Sequence, residues 1–389
     1  MSCSLFENES RRMILTLANR NLVHDRVRLA VTLVGIVFSI VLVAVQLGLY
    51  LGAERMIAAI LDRAPADLWI MPTGSKSLVD AVPMQGQEKY TALATSGVQS
   101  AEPTIITFSD WRIPKGGTTP IVIIGTDPRG GGIVPWNITH GQVADLQMPD
   151  AVGVDRSYFA DLGVNGLGDT GQIDVYRSKV AVITETIRSF TTAPYVFMPL
   201  SRAREILGLP GDAASFILIK VANGAKIEDV RNRLLDQLGP KTYEVLTTAE
   251  FRERTLDNWL FATGAGGALI IGAVLGLLVG TVIVAQTLYA STKDHLAEFA
   301  TLRALGSTTR YIHKVILAQA GTSAVIGYAI ALVLSLIIVR SSADTAMPIV
   351  MTPLLAMALF GLTVIMCAVS ALAAIQKVTR IDPATVFSR

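Results

Sequence analysis

The segment that decides the fold is ATGAGGALIIGAVLGLLVGTVIVAQTLYA, residues 262–290. No charged residue occurs between Asp257 and Lys293, a run longer than the ~20 apolar residues that carry a helix across a bilayer. Within it Gly264, Ala268, Gly272, Gly276 and Gly280 recur at every fourth position, which on a helix sets all five on one side. A side built of small residues lets a second helix approach backbone to backbone. The spacing predicts a packed membrane helix. Two readings of it stay open: a rod that carries motion along its length, and a helix that merely packs well.

Three more segments lack charge. Residues 29–52, 315–339 and 351–376 each read as a span, and Pro353 suits the first turn of the last one. Ser323, Gly327, Ala331 and Ser335 form a second small-residue stripe in the third. The 389 residues are 51% hydrophobic and only 16% charged, against about 25% charged in a typical soluble protein. The deficit is confined to the four spans. A net charge of +2 gives no footing for a nucleic-acid partner. The two cysteines, Cys3 and Cys367, lie far apart in the chain; no apolar stretch precedes Cys3, which argues against a lipoprotein site, and the first apolar run, from about Leu29, is too long for a signal-peptide core and is read as a retained anchor.

Lysine and arginine near the span ends set the orientation. Arg11, Arg12, Arg20, Arg26 and Arg28 precede the first span, Lys293, Arg303, Arg310 and Lys314 lie between the second and third, and Lys377, Arg380 and Arg389 follow the fourth; the connection between the third and fourth holds only Arg340. Both termini are therefore expected in the cytoplasm and the large segment 53–260 outside it, which in a Gram-negative bacterial cell means a multi-pass chain in the inner membrane with that segment in the periplasm. The expected order is a cytoplasmic segment 1–28, which reads as an interfacial helix or a plain basic flank; span 29–52; a periplasmic domain 53–260; span 261–290; a cytoplasmic loop 291–314; span 315–339; a short periplasmic loop 340–350; span 351–376; and a cytoplasmic tail 377–389.

The large segment 53–260 mixes short β-like runs with helical patterns. Runs at 66–71, 120–125, 171–176, 179–184 and 216–221 read as strands, and 201–207, 227–238 and the stretch from Thr248 into the second span read as helices. The expectation is an α+β extracytoplasmic domain inserted between the first two of four transmembrane helices, with a β-rich part over about residues 105–195.

Chemistry is hard to find in this chain. The phosphate-binding pattern Gly-x4-Gly-Lys-Ser/Thr is absent, and residues 74–77 only echo it. If ATP is used, another polypeptide binds it. The four histidines His24, His140, His295 and His313 are scattered, no His-x3-His pair occurs, and no Gly-x-Ser-x-Gly elbow. No metal is expected, and the chain is read as a non-catalytic membrane subunit. Gly130, Gly131 and Gly132 read as a turn, and Trp69, Trp111, Trp136 and Trp259 as core or interface anchors. No span contains Asp, Glu, Lys, Arg or His, which argues against an ion-coupled carrier, since such proteins place ionisable groups near the midplane.

The loop between the second and third spans is the best candidate for a partner site. Leu296, Phe299, Ala300 and Leu302 or Leu305 fall on one side of a short helix, Glu298 and Arg303 flank that side, and Gly306 can end it. Such a helix either plugs a partner's groove or lies against the membrane surface.

Residues 298–307, EFATLRALGS, closely resemble the E-I/F-x-x-L-R-A-L-G-A motif of the FtsX/MacB-type ABC permeases. Residues 380–387, RIDPATVF, resemble that family's closing R-I-D-P-A-E-A-L, and residues 28–38 with 46–48 are most similar to its DevC-type branch. The resemblance implies a homodimeric type VII permease, with ATP and Mg on a separate cytoplasmic ATPase that docks on 293–306 through Leu296, Glu298, Phe299, Leu302, Arg303, Leu305 and Gly306. It implies mechanotransmission to the periplasmic domain rather than passage of cargo through the membrane core. DevC-like members further imply a periplasmic adaptor (membrane fusion protein) and an outer-membrane channel for efflux of lipids, drugs or peptides. FtsX-like regulation of a periplasmic hydrolase and lipoprotein release are the alternatives the same motifs allow. MacB carries its ATPase on the same chain, and this chain departs from it there.

Overall fold

The computed structural model describes residues 26–114, 116–127, 129–294, 301, 309–343 and 345–379. Four helices in it are long and apolar enough to cross a membrane, and a mixed α/β domain with a ten-stranded sheet lies between the first and second. The contacts divide the chain into a helical unit, residues 1–52 with 267–389, and an inserted unit, residues 53–266. The interfacial helix expected before residue 26 and the tail motif at 380–387 lie outside the described residues.

Helix α1, Arg26–Arg63, is a single element of 38 residues. At 1.5 Å per residue it is about 57 Å long, nearly twice the ~30 Å of the hydrocarbon layer. Its apolar first part belongs to the helical unit and its charged last turns to the inserted unit.

The inserted unit is built on strands β1 (Leu68–Pro72), β2 (Val98–Arg112), β3 (Thr118–Thr126), β4 (Ile138–His140), β5 (Ala151–Asp155), β6 (Thr170–Ile173), β7 (Tyr176–Thr184), β8 (Tyr195–Pro199), β9 (Phe216–Val221) and β10 (Tyr243–Thr247). Their order is β10-β1-β9-β2-β3-β8-β5-β7-β4, with β6 paired to β2 and β7. Most neighbours are antiparallel, but β3–β8 and β5–β7 are parallel. Strand β2 changes partners along its length: Val98 to Thr104 pair with β9, and Ile105 to Arg112 with β3. Helices α2 (Glu88–Ala94), α3 (Phe159–Leu162), α4 (Leu200–Ile206), α5 (Ile227–Leu238) and α6 (Thr248–Leu256) join the strands.

Residues 171–176, expected as one strand, contain a hairpin turn instead. Asp174 takes a φ of +53° and Ile173 pairs directly with Tyr176, so β6 folds back as β7. A short Asp side chain tolerates that left-handed geometry, and the run of apolar residues around it hid the turn.

Two aromatic anchors fix the layers. Trp69 on β1 is fully buried, with its ring 5.7 Å from Phe216 and 5.3 Å from Phe251, and its Nε1 donates to Thr248 Oγ1 at 3.1 Å. Those contacts seat α6 on the sheet. Trp111 at the far end of β2 is equally buried, and its Nε1 donates to the Leu162 carbonyl at 2.9 Å. Gly171 lies so close that a Cβ there would fall 2.1 Å from the Trp111 ring. Gly171→Ala is therefore expected to lower stability by about 1–3 kcal/mol through overpacking, read as a lower unfolding midpoint of the full chain, whereas Gly166→Ala, with no neighbour within 4 Å, leaves it unchanged.

Candidate functional site

The helical unit is completed by α7 (Ala265–Asp294), α8 (Thr309–Ser341) and α9 (Pro353–Thr379). Pro353 begins α9, where its missing N–H costs nothing. The small residues of α7 meet α1 in reverse order: a Cβ at Gly272 would lie 2.7 Å from Gln46, one at Gly276 2.9 Å from Leu42, and one at Gly280 2.3 Å from Ser39. The two helices are thus antiparallel, and at one end Arg28 reaches Asp294 at 2.5 Å. Ser39 Oγ donates to the Gly276 carbonyl at 2.7 Å. Ser370 Oγ of α9 donates to the Thr281 carbonyl at 2.9 Å.

The five-residue stripe does not extend as far as its spacing suggested. Gly264 lies outside α7, exposed, with a φ of +79° in the break that precedes the helix, and Ala268 is exposed. Residues 257–262, ahead of that break, form a π-helix rather than a continuous run into the span. Glycine is the residue that takes a left-handed backbone without strain, so Gly264 serves the break rather than the face.

Sequence reasoning missed the matching positions on α1. A Cβ at Gly35 would lie 2.5 Å from Ile283, one at Gly48 2.5 Å from Ile349, and one at Gly52 2.2 Å from the Pro348 carbonyl. Val350 N–H donates to the Gly48 carbonyl at 3.0 Å. From the other side Ile36 fills the space over Gly327 of α8. The spacing Gly35-x3-Ser39 is the signal that could have revealed this face. The interior around it is apolar and closed: Ile36, Ile40, Val284, Ile316 and Met366 are all buried in one cluster.

Leu296, Glu298, Phe299, Leu302, Arg303, Leu305 and Gly306 lie outside the described residues. On either side of them, α7 is helical to Asp294 and α8 from Thr309.

Within the inserted unit the charged end of α1 is tied to α6. Arg252 binds Glu54 at 3.1 Å and Asp62 at 3.0 Å. Burial works against the Arg252 charge, but hydrogen bonds and charge from the two carboxylates outweigh it, and the guanidinium pKa is raised. The start of α6 carries a capping box. Thr247 Oγ1 accepts from the Glu250 N–H at 3.2 Å, Glu250 Oε2 accepts from the Thr247 N–H at 2.8 Å, and Arg231 reaches Glu250 Oε1 at 3.0 Å. Partial burial raises the Glu250 pKa, yet these bonds from Thr247 and the Arg231 charge prevail and leave it below its ordinary value of 4.5. Among the described residues no group of three or more His, Cys, Asp or Glu could hold a metal.

Residues 29–237 match the family model described as MacB-like periplasmic core domain, more than half of the chain, and residues 270–383 match FtsX-like permease C-terminal. No curated protein matches the chain. Among solved structures, the periplasmic region of MacB from Actinobacillus actinomycetemcomitans is 12% identical with a TM-score of 0.38, covering 51% of this chain and 96% of that one. The extracellular domain of the noncanonic ABC-type transporter YknZ from Gram-positive bacteria is 14% identical with a TM-score of 0.36, covering 47% and 99%.

Two outcomes follow from the geometry. Gly280→Leu should push α1 off α7 and lower stability in detergent or lipid by about 1–3 kcal/mol, while Gly267→Leu, with open space around it, should not; thermal unfolding of the purified chain measures both. For Glu250 the depressed pKa means that the ionised carboxylate stabilises the fold above its ordinary value and the effect fades as the pH falls through the folded value. Glu250→Gln keeps the capping hydrogen bonds and loses the charge toward Arg231, so it is expected to cost up to about 1 kcal/mol at pH 7, and the gap to the native chain should close as the pH is taken below 4.5.

Proposed function

The chain belongs to the MacB/FtsX-like family of ABC transporter permeases, and from that premise we propose that it is the membrane subunit of an exporter whose ATPase is a separate chain. ATP and Mg are bound and used there. This chain carries the resulting motion to its inserted domain, which lies outside the cytoplasmic membrane. The excess of arginine and lysine beside Arg28 and around 293–314 supports a cytoplasmic setting for that end of the bundle and for both termini. The segment 293–306 receives the ATPase, with Phe299, Leu302 and Leu305 as the apolar contact and Glu298 and Arg303 beside it. A homodimer, a periplasmic adaptor and an outer-membrane channel complete the machine, as in DevC-type systems for lipids, drugs or peptides.

One observation carries this reading. The four spans hold no Asp, Glu, Lys, Arg or His, and the buried polar groups among them are small hydroxyls and one amide, such as Ser39 and Gln319, set among apolar side chains and direct glycine contacts. A carrier that moves polar cargo through its own core needs charged groups there. Rods packed without such groups suit movement as bodies, and the work then falls to the domain they bear. The length of α1, which continues past its apolar part into charged turns held by Arg252, supports the same reading.

The test is ATP hydrolysis by this chain co-purified in lipid with the ATPase encoded beside it, with and without the neighbouring periplasmic protein. Stimulation by an adaptor-type neighbour supports export; stimulation of a wall hydrolase instead would move the chain to the regulatory branch. Glu298→Ala combined with Phe299→Ala should weaken ATPase association by about tenfold, the equivalent of ~1.4 kcal/mol. Unchanged association would overturn the docking assignment.

A further inference from the structure

Loop 185–194, between β7 and β8, has an unusual backbone. Thr186 and Thr192 take φ values of +69° and +61°. A β-branched residue is a steric outlier in that region, and such geometry persists only where the surroundings over-determine it. Here they do. The buried Asp155 accepts four hydrogen bonds, from Ser157 N–H at 3.0 Å, Ser157 Oγ at 2.5 Å, Thr184 Oγ1 at 3.0 Å and Ile187 N–H at 2.7 Å. Asn137 Nδ2 donates to Thr186 Oγ1 at 2.9 Å, and Ser189 N–H donates to the Tyr158 hydroxyl at 3.0 Å.

What this loop touches gives the strain a use. Phe190 meets Trp259 edge to face at 5.8 Å. Trp259 is in the π-helix Asp257–Ala262, the last turn before the Gly264 break and the second span, and π-turns recur at functional positions. A cavity of about 20 Å³, room for one water, is lined by Ser189, Phe190 and Thr191 of the loop, Thr255 and Trp259 of the exit segment, and Ile57 of α1. Thr255 Oγ1 is buried without a hydrogen-bond partner. The loop therefore rests on both segments by which the domain joins its spans, over a small, mostly apolar void, also lined by Leu78, Val79 and Tyr195, into which side chains can shift.

We propose that Phe190 and Trp259 position loop 185–194 as a latch, through which displacement of the π-turn is passed to the strands β5, β7 and β8. The inference rests on the transmission reading above. The left-handed threonines and the Asp155 hydrogen bonds hold the loop in its resting setting, and displacement of the π-turn would move it from there. Phe190 and Trp259 are positioning residues: they touch no cargo and no nucleotide.

The experiment uses the full chain with its ATPase in lipid, Cys3 and Cys367 replaced, and spin labels at Leu167→Cys and Glu253→Cys, both exposed sites of the inserted unit. The 167–253 distance is read with and without ATP. The native chain should show an ATP-dependent shift. Trp259→Ala should abolish it while hydrolysis continues, Trp259→Phe should restore it, and Thr186→Gly with Thr192→Gly should broaden the resting distance distribution. Retention of the full shift in Trp259→Ala overturns the latch, as does an unchanged distribution in the glycine pair. A constant distance in the native chain during hydrolysis also overturns the latch, and leaves the transmission reading to its own test. Failure to bind any ATPase removes that reading instead.

Discussion

The hydroxyl of Ser39 reaches the carbonyl of Gly276 at 2.7 Å because nothing stands between two helix backbones there. In a bilayer, lipid tails offer no hydrophobic gain for bringing helices together, so close packing and a few hydrogen bonds must do it. Each of the glycines facing α1 or set in it keeps one such approach open. Gly35 faces Ile283 of α7, Gly48 and Gly52 face Ile349 and Pro348 in the connection between α8 and α9, Ile36 covers Gly327 of α8, and Ser39 meets Met366 of α9, so α1 touches all three other helices. The apolar cluster of Ile36, Ile40, Val284, Ile316 and Met366 fills what remains.

The inserted domain solves a different problem, that of joining a sheet to the two chain segments, near residues 53 and 266, by which the chain enters and leaves it. Trp69, Phe216 and Phe251 seat α6 against the sheet, and Arg252 ties α6 to the last turns of α1 through Glu54 and Asp62. Ion pairs at partly exposed positions contribute modestly, about 0–1 kcal/mol each. Their value here is geometric, since a two-carboxylate fork holds the guanidinium in one orientation.

Much of the fold was legible because its signals are long. Four uncharged runs, each of roughly 24 residues or more, have no reading except spans, and runs such as Phe216–Val221 are strands by composition alone. The motif at 298–307 gave the family. What escaped did so for physical reasons. Strand β2 holds Pro103, Glu102 and Asp110, which blur its pattern, yet tertiary pairing with β9 and β3 makes it the longest strand of the sheet. Gly264 shares a spacing with the glycines after it, but spacing cannot tell a helix face from the break before it; only the backbone angle does. The Asp155 hub and the left-handed threonines leave no trace in the linear sequence, because their partners are brought together from positions 137, 155, 158 and 184–189 by the sheet.

Strand β2 also bears on how such a domain can change over time. Its first half is committed to β9 and its second to β3, so a residue gained or lost inside it would slip one register or the other and turn buried side chains to the wrong face. The loop beyond its end is free of that constraint: the Gly116 N–H donates to the Ile113 carbonyl at 2.9 Å, and a side chain there would meet nothing within 4 Å. Relatives can accordingly differ in length and shape at that tip while the seam itself stays fixed, which lets one scaffold present different surfaces without being rebuilt.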